Sequence, residues 1–146
     1  MQGLDLRLRR KRYGLTQEEL GELIADFSLT NNREQAKPIR RRTINLWEHT
    51  DTVGNVGSML EQVMDDIDHV YATMVNTVIN AATSRADSNK HITLPARLAV
   101  DTLPHGMRAM ILADAARALR AEGFTVTLVD EPEANQRADD ESNTPK

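Results

Sequence analysis

The sequence predicts a mainly α protein with a small β component: an N-terminal helix-turn-helix domain, a long connecting helix, and a C-terminal strand–helix–strand dimerisation part. Three observations carry this reading. From 56 to 82, apolar residues recur in steps of three and four almost without error, the strongest periodic signal in the chain. Within the first 50 residues, two shorter apolar-periodic segments bracket a polar stretch. Near the other end, two β-rich runs, HITLP at 91–95 and FTVTLV at 124–129, flank a strong helical pattern at 106–122.

Residues 4–13, LDLRLRRKRY, place Leu4 and Leu8 on one helical face with arginines between them. Gly14 ends that helix, as glycine does just past a helix terminus. Next comes LTQEELGELIADF. Thr16 with Glu19 three residues later is a capping-box signature, and Leu15 is set to staple the entry. Leu20, Leu23, Ile24 and Phe27 then share one face. Residues 28–37, SLTNNREQAK, are polar and turn-forming. Pro38 suits the first turn of a helix over 38–49, where its missing N–H costs nothing. Ile39, Ile44 and Trp47 supply its inner face, with Leu46 a further candidate.

DTVGNVG at 51–57 is a turn. The helix over 56–82 follows, its apolar stripe wider than the small N-terminal unit can cover. Its opposite face carries Glu61, Asp65, Asp66 and Asp68, read as a solvated surface. TSRADSNK at 83–90 is a loop, Pro104 interrupts the chain before the helix at 106–122, and Gly123 ends that helix. Two strands make a marginal sheet, so pairing across a two-fold axis is expected to add partners. The domains are 1–50 and 56–130. The acidic tail, 131–146, has no large apolar residue and is expected to be disordered.

Composition narrows the function. With no cysteine there is no disulfide framework and no thiolate chemistry. No apolar run approaches the ~18–20 residues a bilayer requires, and the N-terminus lacks a signal-peptide core. A soluble, cytoplasmic protein with no membrane partner is expected. His49, His69, His91 and His105 are scattered, with no metal-ligand spacing. There is no Ser–His–Asp grouping and no glycine-rich phosphate loop, so neither catalysis nor a cofactor is expected. The net charge of −4 hides an asymmetry. Residues 1–50 hold 10 Lys+Arg against 7 Asp+Glu, and residues 51–146 hold 8 against 15. A basic head on an acidic body points to a polyanion at the head.

Residues 40–49, RRRTINLWEH, sharpen that point. A helix N-terminus already carries partial positive charge, so three arginines there require an anion from outside. A helix-turn-helix sets its second helix in the DNA major groove. The arginine fork matches the O6 and N7 acceptors of guanine, and phosphates supply the negative charge. Arg40, Arg41 and Arg42 are therefore candidate DNA contacts.

GLTQEELGELI followed by RRRTINLWE resembles the phage-repressor-like helix-turn-helix domains of the Cro/CI, or XRE, type. Gly14, Leu15, Thr16, Gln17, Leu20, Thr43, Ile44, Trp47 and Glu48 match that pattern, over roughly residues 4–50. The resemblance implies that Gln17 contacts phosphate or an adjacent base. It implies that Arg41 and Arg42 read bases, with Thr43 among the contacts and Asn45 and Leu46 further along the exposed face. It pairs Glu48 with Arg10 of the first helix and leaves Ile44 and Trp47 in the core. There are two departures. Gly21 stands where the family favours Ala, a sterically harmless change that costs roughly 1 kcal/mol of helix stability. The stretch ADFSLTNNREQAKP is about a dozen residues longer than the usual turn, and brings Arg33 and Lys37 as phosphate contacts. Arg9 of the first helix is a further phosphate contact.

The remainder looks like regulators associated with anti-CRISPR operons. In those the C-terminal part forms a homodimer and the protein represses its own operon. The function expected is a homodimeric, sequence-specific repressor that binds an inverted repeat in double-stranded DNA. Two alternatives stand beside it: an antitoxin whose acidic body clamps a protein partner, and a regulator that binds RNA.

Overall fold

The computed structural model describes residues 1–30, 37–96, 98, 100 and 102–129, with the side chains of 28–30 left aside. Arg33 and the 131–146 tail lie outside the described residues. Five helices and two strands follow one another: α1 Gly3–Arg12, α2 Gln17–Thr30, α3 Arg41–Glu48, α4 Gly57–Arg85, β1 His91–Pro95, α5 His105–Ala121 and β2 Thr125–Val129. The protein is mainly helical with one small parallel sheet.

Local chemistry sets the helix ends. Gly14 takes φ +66, and the α1 terminus closes with Gly14 N–H on Lys11 O (3.0 Å) and Leu15 N–H on Arg10 O (3.2 Å). Those two bonds make a Schellman motif, which needs a left-handed residue after the cap. The same pair of bonds closes α5 at Gly123 and Phe124. At the start of α2, Thr16 N–H donates to Glu19 Oε1 (2.9 Å) and Glu19 N–H donates to Thr16 Oγ1 (3.1 Å). Both halves of the capping box form.

Four details depart from expectation. Leu4 and Leu8 are exposed, and α1 buries Leu6 and the cap residue Tyr13 instead. That line faces α3 and α4, and long-range packing chose it over the leucine pair. α3 begins at Arg41, so Pro38 is not in its first turn. The preceding residues run extended because Ile39 N–H donates to Gly21 O (3.2 Å), which holds that segment against α2. A Cβ on Gly21 would overlap Ile39 O, so glycine is required there and the expected harmless exchange with Ala is corrected. Leu46, a candidate for the inner face of α3, points outward, and Trp47 is only partly buried.

α4 spends its stripe on both halves of the chain. It buries Leu60, Val63, Met64, Ile67, Tyr71, Val78 and Ala82. α2 packs on one part, and α5 with β1 on the rest. Each buried aliphatic side chain contributes about 1.5–3 kcal/mol of transfer free energy. One cluster of buried residues therefore runs from Leu6 to Val126, across the boundary expected at 51–55. The strands pair within the chain, parallel, from His91 with Thr125 to Pro95 with Val129. α5 provides the long crossover that parallel pairing demands. Among the described residues, no helix is long and apolar enough to cross a membrane.

Candidate nucleic-acid interface

The first three helices meet around one carboxylate. Glu48, in the last turn of α3, has a side chain only 1% exposed. It accepts from Arg10 Nε, from Arg10 Nη2 (3.2 Å) and from Gln17 Nε2 (2.9 Å). Arg10 Nη1 also donates to Leu15 O (2.7 Å). Burial opposes the Glu48 charge most, but the bonds from Arg10 and Gln17 outweigh it and hold its pKa below the ordinary carboxylate value. α1, α2 and α3 are thereby clamped by a bidentate, charge-assisted contact. The Arg10–Glu48 pair is the one the family resemblance implied.

The outer face of α3 is the opposite case. Arg40, Arg41 and Arg42 are exposed, and among the described residues none forms an ion pair. Arg40 is the N-cap, extended at φ −66 and ψ 142, with no side-chain cap bond, and the first turn holds no acidic residue. The free N–H groups and three cations there lack an internal anion. Beside them is an open cavity of about 430 Å³ lined by Arg10, Thr16, Gln17, Glu18 and Arg41. It lies at the N-terminus of α2, where the first turn carries Glu18 and Glu19.

The other candidates divide. Lys37 is exposed ahead of α3. Thr43 is half-buried, and its N–H donates to Arg40 O (2.9 Å). Asn45 is exposed, and its Oδ1 accepts from Gln17 Nε2 (3.2 Å). The Gln17 amide is thus held between Glu48 and Asn45, while the residue still lines the cavity. Arg33 is outside the described residues.

Arg9 is not where it was expected. Its side chain is 19% exposed and its Nη2 donates to Asp65 Oδ1 (2.9 Å) and Asp68 Oδ2 (2.5 Å), both on α4. Asp5 lies 3.9 Å from Nη1. Burial opposes the charge, and the two aspartate bonds more than restore it, so its pKa is raised. Expected on phosphate, Arg9 instead has its Nη2 on two carboxylates of α4. Asp65 and Asp68 stay solvent-accessible, as the surface reading expects, and in addition accept from Arg9. Asp68 also accepts from the Tyr13 hydroxyl. Burial first, then that bond, pushes the Tyr13 phenol above its usual value. The spacing of Asp65 and Asp68 places them on one face, but nothing local says what meets that face.

Among the described residues, no group of three or more His, Asp or Glu is arranged to hold a metal ion. No family model, curated protein or solved structure matches the chain.

Proposed function

We propose that this chain is a sequence-specific DNA-binding transcriptional regulator, acting as a homodimer that represses its own operon. The observation that supports it is the contrast on α3. Its inner end is fixed by Arg10 and Gln17 through Glu48, while Arg40, Arg41 and Arg42 at its outer end have no ion-pair partner among the described residues. A rigidly held helix with unsatisfied arginine forks at its start is suited to reading guanine in a major groove. In this reading Arg41 and Arg42 face base edges, with Thr43 and Asn45 beside them. Arg40, Lys37 and Gln17 face the backbone, as does the cavity at the start of α2. The second copy pairs through the body, where the two-stranded sheet leaves Leu128 and Val129 each 42% exposed.

The test is fluorescence anisotropy with a labelled duplex from just upstream of the gene, against a scrambled duplex at physiological salt. Binding at least about a hundredfold tighter to the native duplex, or 2.7 kcal/mol, supports specific readout. Equal, weak and salt-sensitive binding to both duplexes removes it. Preference for a folded RNA over either duplex favours an RNA-binding regulator instead.

A further inference from the structure

Arg9 and Arg10 are neighbours on α1, yet they hold different parts of the molecule. Arg10 grips α3 through Glu48. Arg9 grips α4 through Asp65 and Asp68. One turn later Tyr13 donates to Asp68 and packs against the Tyr71 ring, with centroids 4.6 Å apart and planes at 43°. Tyr71 in turn donates to Asp114 of α5. The turn after α1 adds backbone contact, since Cβ atoms on Gly14 or Gly106 would each meet the other's backbone. A helix of ten residues therefore joins α3 to both long helices of the body.

The form of the contact indicates its role. Arginine presents a planar fork, and two carboxylates one turn apart on a rigid helix accept from it in a limited set of orientations. Asp65 is 67% exposed and Asp68 41%, so water screens both and the gain in stability is small. What such a contact restricts is angle. We propose that Arg9, with Asp65 and Asp68, is a positioning residue that sets the angle at which α3 is presented from α4. The proposal rests on the DNA-binding reading only for its consequence: α3 then reaches the groove in one orientation.

The chain has no cysteine, so two introduced ones label uniquely. Full-length protein carrying Leu46→Cys and Asn80→Cys, both exposed sites, takes one spin label on α3 and one on α4, and is diluted into excess unlabelled protein so that only distances within one chain are read. Pulsed electron resonance then reads the distance between them without DNA. Arg9→Ala and the pair Asp65→Asn with Asp68→Asn are each expected to shift and broaden a single narrow distribution. Combining all three changes adds nothing further, and far-UV circular dichroism stays unchanged. Against a specific duplex, both variants bind roughly tenfold more weakly, with the dependence on salt unaltered.

A distribution that stays narrow and unmoved in both variants overturns the proposal. So does a second pattern: Arg9→Ala flattens the salt slope by about one phosphate while the two asparagines tighten binding, since Arg9 is then a phosphate contact. Lost helical content in Arg9→Ala shifts the decision to the asparagine pair, which removes charge while keeping side-chain size. If no duplex binds even the parent protein, the DNA-binding reading fails by itself, and the spin-label distances still decide the role of Arg9.

Discussion

α1 carries four arginines and the start of α3 three, and the fold treats Arg9 and Arg10 of α1 in the opposite way to the three of α3. Arg9 and Arg10 each end on a carboxylate of another helix. Arg40, Arg41 and Arg42 end in solvent, without an ion pair among the described residues. Charge density alone therefore says little about role. Arginines with internal acceptors hold the head together and to the body. In the proposed function, Arg40, Arg41 and Arg42 are the ones left for an external anion.

The strongest way to break this comparison is Arg10→Ala. It leaves the Glu48 carboxylate buried with only Gln17 to compensate, and is expected to destabilise the protein by about 3–5 kcal/mol. Urea unfolding followed by Trp47 fluorescence reads this directly, and a loss under about 1 kcal/mol would make the pair an ordinary surface contact. The same pair gives the head a pH dependence. The Glu48 pKa is lower folded than unfolded, so the unfolded chain takes the proton first. Its contribution is complete above the unfolded value, near ~4.3, and fades as pH falls through the folded value. Glu48→Gln should remove that acid dependence from the Trp47 signal.

Arg41→Ala tests the other side. It should weaken specific binding by about 1–3 kcal/mol and relax preference at one base pair. Stability should stay within roughly 0.5 kcal/mol, as for an exposed residue without partners. A matching loss of stability would erase the distinction between the two sets of arginines.

Gly21→Ala sharpens it by asking how closely the α3 approach is constrained. Helix propensity alone predicts a gain of roughly 1 kcal/mol. Overlap with Ile39 O predicts a loss of about 1–3 kcal/mol and a displaced α3, visible as lost stability together with weakened duplex binding. The smallest effect is Thr16→Ala, which removes one capping-box bond for about 1 kcal/mol in thermal unfolding.

Much of the fold was legible in the chain because the relevant interactions are local. The capping box spans three residues, and Gly14 and Gly123 end their helices through bonds to the preceding turn. The α4 period and the alternation of β1 and β2 are likewise local, and their boundaries fall within a few residues of expectation. At the site, the exposed arginines of α3 were evident from sequence, and the Arg10–Glu48 pair came from a family resemblance rather than from spacing. The Arg9 partners were not legible, because 56 and 59 residues separate them from Arg9 along the chain. Nor was the face of α1, since periodicity ranks candidate faces without naming the neighbour each one meets.

The sequence by itself determined which segments are helix and strand, most of their ends to within a few residues, and where cationic charge concentrates. These follow from hydrogen bonds and side-chain spacing within a turn or two. Only the tertiary structure decided that Leu6 rather than Leu4 turns inward, that Gly21 admits no Cβ, that the strands pair with each other, and that Arg9 faces carboxylates. Each of those is settled by which surface lies opposite. That depends on how distant elements pack, and no short stretch of sequence contains it.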